Sequence, residues 1–214
     1  MSETRCLLCL NDQITFKLIK RTKEKYWDCY YCGLIFLDEA FHLRPSLERA
    51  HYLTHNNDIT DSRYQSFVSP IVDYVLNNVP PPSTGLDFGA GPGPVISSIL
   101  VGRGYEMNLY DPYFWDDVWS LTKEYDFIVS CEVVEHFYSP ADEFHKLRFL
   151  LKPDGHLAIM TDLYNDSIDF DEWYYHRDPT HVSFYRMRTF EWIKKHYRFK
   201  DLLRSDGRVV VLRS

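Results

Sequence analysis

The stretch Gly85-Leu86-Asp87-Phe88-Gly89-Ala90-Gly91-Pro92-Gly93-Pro94 decides how this chain is read. Residues 86–88 form a short apolar run of strand character. A helical run follows over 94–101, opening with Pro94 and closing before Gly102. Close-set glycines between a strand and a helix remove side chains, so a ligand can approach the backbone. Alone, such a run also fits a tight structural turn, and its neighbours must discriminate. A dinucleotide fold wants a third glycine at the sixth position, where this chain has Pro94. A pyrophosphate disfavours a carboxylate beside it, yet Asp87 stands two residues before Gly89. A positively charged ligand reverses that preference. Asp111 ends the next strand, over 107–110, where a carboxylate can accept both hydroxyls of a ribose. Hydrogen bonds to a charged acceptor contribute ~1.5–3 kcal/mol each, so that pair could dominate recognition of a nucleoside.

Outward from this centre, residues 127–131 and 157–160 are further apolar runs with little polar alternation, as expected for strands covered on both faces. A helix is predicted over 140–151, opening with Ser139-Pro140, with Asp142 at the capping-box position, and closing at Lys152-Pro153-Asp154-Gly155. Strands alternating with helices imply an α/β fold and a largely parallel sheet. The last two runs, 197–203 and 208–212, are joined by Ser205-Asp206-Gly207 and read as an antiparallel hairpin. Upstream, Tyr64, Phe67, Val68, Ile71, Val72 and Val75 follow helical spacing. Ser69-Pro70 is expected to restart or bend that helix, and Val79-Pro80-Pro81-Pro82 ends it.

Four of the five cysteines fall in two tight pairs, Cys6-Leu7-Leu8-Cys9 and Cys29-Tyr30-Tyr31-Cys32, separated by the nineteen residues 10–28. Two residues between thiolates let both point at one ion from a tight turn, and two such turns complete a tetrahedron. A structural zinc held by Cys6, Cys9, Cys29 and Cys32 is the expectation; two disulfides or unbonded core cysteines are the alternatives. Gly33 supplies the positive φ such a turn often needs, whereas Leu10 stands at the matching place after the first pair. Between the pairs, 14–19 has strand character and 20–25 is a basic turn that reads as a solvated hairpin tip, nucleic-acid contact being the alternative. The chain thus divides into three units: a zinc-ribbon-like unit over 1–40, a helical connector over 41–82, helical after Pro45, and the α/β unit over 83–214.

With 214 residues and a 45% apolar fraction, the chain can bury a core. No apolar stretch is long enough for a membrane span, and the polar start lacks the apolar run of a secretory signal, so a cytoplasmic protein is expected. The net charge of −7 weighs against coating of nucleic acid through overall charge.

These segments together resemble the class I S-adenosylmethionine-dependent methyltransferases. Their glycine motif is matched by Asp87, Phe88, Gly89, Ala90, Gly91, Pro92 and Gly93, and their ribose carboxylate by Asp111. Their fourth strand and the segment after it are matched by Tyr125-Asp126-Phe127-Ile128-Val129-Ser130-Cys131-Glu132-Val133-Val134-Glu135-His136-Phe137, and their fifth strand by Leu150-Leu151-Lys152-Pro153-Asp154-Gly155-His156-Leu157. The matches span residues 84–161 and the closing hairpin. The resemblance implies a Rossmann-like, seven-stranded mixed sheet with a reversed final strand. It implies S-adenosylmethionine as cofactor, held by Asp87, Phe88, Gly89, Ala90, Gly91, Gly93, Asp111, Pro112, Cys131 and Glu132. Only the 14 residues 112–125 separate Asp111 from Asp126, so the second helix and third strand must be abbreviated. Phe114, Trp115, Asp116 and Asp117 are the adenine-side candidates, or a surface loop.

The acceptor wall is expected in Trp173-Tyr174-Tyr175-His176-Arg177-Asp178-Pro179-Thr180-His181-Val182-Ser183-Phe184-Tyr185, which joins flat apolar surface to two histidines titrating near neutral pH. Similar family members carry an aromatic-rich, Asp-Pro-Thr-His-Val-like stretch there. A rigid aromatic loop is the alternative. His176, His181 and His136 are the catalytic candidates; His136 also reads as a satisfied core histidine, and Glu135 as a helix-start carboxylate. His51 and His55 could fold over the cofactor or merely cap helices. A four-cysteine unit before such a core is similar to the arrangement in sugar C-methyltransferases and in a ribosomal-RNA guanine methyltransferase group. The resemblance thus implies methyl transfer to a small or medium organic acceptor. An RNA methyltransferase or a non-catalytic cofactor-binding scaffold are the rivals.

Overall fold

The computed structural model describes residues 4–19, 22–54, 58–205 and 208–214, with side chains undescribed at 204 and 205. Its first unit carries three strands, β1 (Ile14–Leu18), β2 (Lys25–Cys29) and β3 (Ile35–Leu37). The strand of 14–19 is present, and β2 replaces what reads in sequence as part of a charged turn and a knuckle. The helices α1 (Pro45–Tyr52) and α2 (Ser62–Asn78) follow. Next come β4 (Thr84–Phe88), α3 (Val95–Val101), β5 (Glu106–Tyr110), β6 (Tyr125–Cys131), α4 (Pro140–Phe149) and β7 (Leu151–Met160). The chain ends with β8 (Ser183–Phe184), α5 (Met187–His196), β9 (Asp201–Ser205) and β10 (Val209–Arg213).

The main sheet has the order β5-β4-β6-β7-β10-β9, parallel from β5 to β7, with the β9–β10 hairpin antiparallel at the far side. Alternation sets its two faces. Ile128, Leu157, Ile159, Val210 and Leu212 join one core, with α4, α5 and the amino-terminal unit. Phe127, Val129, Ala158, Met160, Val209 and Val211 join the other, under α2 and α3. Cys6, Leu8, Cys29, Cys32, Leu34 and Phe36 belong to the same core as Leu86 and Ile128. The amino-terminal unit expected over 1–40 therefore shares its interior with the main sheet. Its own sheet is completed by β8, paired antiparallel to β3.

Six strands, not the expected seven, form the main sheet among the described residues. After β5, residues 111–124 hold only a turn closed by Asp111 and Trp115 and a 3-10 turn over Val118–Thr122. That is too short for an edge strand with crossovers on both sides, each of which takes roughly a dozen residues. Nor does the helix restart at Ser69-Pro70: α2 runs through Pro70. Proline cannot bond the Ser66 carbonyl, and the Ser69 hydroxyl donates to it instead at 3.0 Å. At α4, Ser139 makes no side-chain cap, so the capping box with Asp142 does not form. The loop residues Asp206 and Gly207 lie outside the described residues, as do His55 and the tip residues Lys20 and Arg21.

Candidate active site

The glycine turn leaves β4 with Gly89 and Gly91 at φ of 83° and 61°. A Cβ on Gly89 would meet Val133 Cγ2 at 2.3 Å, so both conformation and space exclude a side chain. Gly89 and Ala90 amides donate to the Tyr110 carbonyl at 2.8 and 3.2 Å. Asp111, at the end of β5, ties this turn to its own: its carboxylate accepts from the Gly91 amide at 3.0 Å and the Tyr113 amide at 2.8 Å. Trp115 Nε1 closes the ring by donating to the Gly91 carbonyl at 2.7 Å.

Above the carboxyl ends of β4, β5 and β6 opens a cavity of about 860 Å³. Phe88, Gly89, Ala90, Gly91, Asp111, Pro112, Cys131, Glu132, His136 and His181 line it, as does Phe114. Ligands of open α/β sheets sit at this end of the strands, and the volume falls within the ~300–1,000 Å³ typical of small-molecule sites. Asp87 and Gly93 line a small recess beneath the turn, not the main wall. There Asp87 accepts from Ser97 Oγ at 2.8 Å, and burial pushes its carboxyl up to about 6.

The opposite wall is built by the residues after β6 and those before β8. The Val182 amide donates to the Glu135 carbonyl at 2.8 Å, stapling the two segments. His136 Nδ1 lies 3.0 Å from the Thr180 carbonyl and His181 Nδ1 2.7 Å from the Tyr175 carbonyl. A carbonyl only accepts, so each neutral ring carries its proton on Nδ1 and its lone pair on Nε2. Burial holds both histidines below their ordinary range, His181 at about 3. Glu132, at φ of 53°, pairs with Arg208 at 2.7 Å. Burial pushes both Glu132 and Glu135 up, and each accepts from the Tyr175 hydroxyl. Asp178 takes His51 Nε2 at 3.1 Å. Thr180's hydroxyl and amide, with His181 and His51, outweigh the effect of Asp178's burial and hold its carboxyl below the usual range.

His176 is not brought to this cavity. It stacks on Phe170 with ring centroids 5.2 Å apart and meets Tyr26 edge-on, in the aromatic core that β8 shares with the amino-terminal unit. A 3-10 turn over Tyr174–Arg177 turns it inward while Tyr175 and Asp178 face the cavity. Of the two histidines in that segment, only His181 lines the cavity.

Sequence reading missed Glu48. From α1 its buried carboxylate accepts the hydroxyls of Tyr52, Tyr113 and Tyr138 at 2.7, 2.8 and 3.1 Å, and all four residues line the cavity. The Glu48–Tyr52 spacing of four within one helix was the only available signal.

The four cysteines come together, all Sγ atoms lying within 4.8 Å of one another. Cys6–Cys32 and Cys9–Cys29 are each separated by 3.5 Å, far too long for disulfides. A tetrahedron with ~2.3 Å Zn–S bonds has sulfur atoms roughly 3.8 Å apart, so the set fits zinc. Lys17, beside the basic tip, is engaged with Asp28 at 3.3 Å.

The profile of a methyltransferase-domain family matches residues 60–203, more than half of the chain. The chain belongs to the methyltransferase-domain family. No curated protein matches it in sequence. The Burkholderia thailandensis 1,6-didemethyltoxoflavin-N1-methyltransferase, solved with 1,6-didemethyltoxoflavin and S-adenosylhomocysteine, has a similar fold. The TM-score is 0.58 at 12% identity, over 93% of this chain and 98% of that one. CalO1, a methyltransferase of calicheamicin biosynthesis in its S-adenosylhomocysteine-bound form, gives 0.50 at 11% identity over 68% of this chain. An O-methyltransferase family protein from Burkholderia thailandensis gives 0.50 at 16% over 69%. The methyltransferase chain spans 52% of CalO1 and 55% of that protein, about half the length of each. The class I family resemblance and the Rossmann-like fold with its carboxyl-terminal hairpin are thereby borne out. No helix among the described residues is long and apolar enough to cross a membrane.

Proposed function

We propose that this methyltransferase domain transfers a methyl group from S-adenosylmethionine to a small organic acceptor held in the cavity of about 860 Å³. The observation that carries the reading is the pairing of Asp111 with the Gly91 amide on one wall and of two oriented histidines on the other. In this reading Asp111 accepts the ribose hydroxyls, and the backbone from Phe88 to Gly91, with Pro112, Cys131 and Glu132, frames the nucleoside and methionine portions. Asp87 acts from below the turn, as the buried negative charge facing the ammonium side. When bound, S-adenosylmethionine supplies an electrophilic methyl on a positively charged sulfur. The protein's task is then alignment of the acceptor at ~3–3.5 Å from that carbon. Glu48 with its three tyrosines and the His136–His181 pair border the acceptor's side of the cavity. The lone pairs on Nε2 orient the acceptor or take its proton as the new bond forms. The four cysteines hold a structural zinc, which fixes the amino-terminal unit against the core.

The small-molecule character of the acceptor is supported by the aromatic-lined cavity of about 860 Å³ and by the methyltransferase of similar fold solved with 1,6-didemethyltoxoflavin. Purified protein is incubated with methyl-labelled S-adenosylmethionine and a small-molecule cell extract, and products are identified by mass. A methylated metabolite is the expected result. Label confined to RNA would overturn the small-acceptor reading, and cofactor binding with no label transferred would favour the scaffold.

A further inference from the structure

His136 and His181 meet edge to face with ring centroids 4.8 Å apart. Each has its Nδ1 committed to a backbone carbonyl, at 3.0 and 2.7 Å. That is the outer-shell arrangement that fixes tautomer and ring orientation in metal-ligating histidines. Beside them is Glu135, whose carboxylate lies 3.9 Å from His181 Nε2. The ligand atoms offered by Glu135, His136 and His181 all fall within 4.8 Å of one another.

The burial of Glu135 is the second observation. The residue is fully buried, and among the described residues no lysine or arginine lies within 4.0 Å of its carboxylate. Its oxygens accept from the Tyr175 hydroxyl at 2.5 Å and the Thr161 hydroxyl at 3.0 Å. Those donors are neutral: they orient the group, and no lysine or arginine contacts it directly. Each oxygen keeps a further lone pair. Two neutral imidazoles and one carboxylate form the donor set that suits a borderline divalent ion, and three protein ligands leave coordination positions open. The two histidines line the main cavity, so an ion they hold is reached from it, while Glu135 is fully buried.

We propose that Glu135, His136 and His181 bind a divalent first-row transition-metal ion whose open positions take an oxygen donor of the methyl acceptor. The ion occupies the Nε2 lone pairs, so the histidines orient the acceptor through it. Acceptors carrying a hydroxyl beside a second oxygen are the class this favours, because two neighbouring oxygens can share one ion. The acceptor half of this inference rests on the methyl-transfer reading; the ion-binding half does not.

The test is a Mn²⁺ titration of the full chain, with its cysteine cluster loaded with zinc, followed by electron paramagnetic resonance of the free ion. About one Mn²⁺ per chain is expected, with His136→Gln and His181→Gln each weakening binding by about tenfold or more. Glu135→Gln puts the fold at risk, so the histidine variants carry the test. S-adenosylhomocysteine titrated into the same variants reports an intact cofactor wall. Failure of both Mn²⁺ and Co²⁺ to bind, or equally tight binding to the double histidine variant, would overturn the ion site. Mn²⁺ binding without S-adenosylhomocysteine binding would sustain it and sink the methyl-transfer reading.

Discussion

Leu10 holds a backbone conformation that its side chain opposes. Its φ is 59°, the counterpart of Gly33 at 81° in the second knuckle. The amides of both residues donate back to the first cysteine's carbonyl at 2.9 Å. The two turns are thus equivalent, although only one carries glycine. A left-handed conformation costs a residue with a Cβ roughly 1–2 kcal/mol, and the Leu10 side chain is 64% exposed, so it recovers little by packing. Leu10→Gly should raise stability by roughly 1 kcal/mol, seen as a higher urea midpoint at unchanged slope. A lower midpoint would show that the leucine holds the knuckle. His181 offers a pH test. Burial first, then the nearby His136, lowers it to about 3 from an ordinary 6.5. The folded state therefore binds fewer protons than the unfolded chain between those values. Its contribution to stability is full above pH 6.5 and is lost as pH falls toward 3. In His181→Asn the urea-derived stability should fall less steeply across that window; an unchanged slope would mean the ring titrates normally.

At the scale of elements, the join between the amino-terminal sheet and the rest is made by β8 and by Arg186 at the start of α5. Arg186 forks onto Asp28 at 2.9 and 2.8 Å, donates to the Gly33 carbonyl at 2.6 Å, and lies over the Tyr164 ring at 4.8 Å. Arg186→Ala leaves Asp28 with Lys17 as its nearer remaining cation and should cost about 3 kcal/mol in urea unfolding. A loss below about 1 kcal/mol would mean that Lys17 compensates. The same elements show what sequence could reveal. The strands β4 and β6 and the second half of β7 are legible because both faces are covered, leaving nearly continuous apolar runs, whereas β5 is a half-buried edge strand. β2 is hidden in the sequence, since Lys25 and Asp28 interrupt it and Cys29 belongs to the second knuckle. β8 has two residues and exists only through its distant partner β3, a pairing no local pattern encodes. α5 carries its own signal, with Phe190 and Ile193 buried at helical spacing and a basic last turn. In the site, Asp111 and the glycines were legible through strict local geometry. Glu48 was not, because its tyrosines come from positions 52, 113 and 138. Nor could sequence tell His176, turned inward by a 3-10 turn, from His181 beyond it.

At the scale of the molecule, the cysteine cluster and the main sheet share a single core, with Cys6 and Cys32 in the same packed group as Leu86 and Phe88. Removing the proposed zinc should consequently destabilise the whole chain. Calorimetry of the chelator-treated protein, or of Cys6→Ser, should show one transition moved to lower temperature. A separate early transition above an unshifted main one would show that the amino-terminal unit is energetically independent. That the turn joined to Asp111 is shaped for an amino-acid nucleoside is tested most directly by calorimetric titration with S-adenosylhomocysteine. One site per chain is predicted, weakened by about tenfold or more in Asp111→Ala through loss of hydrogen bonds worth ~1.5–3 kcal/mol each. No heat of binding, or affinity untouched by that substitution, would contradict it.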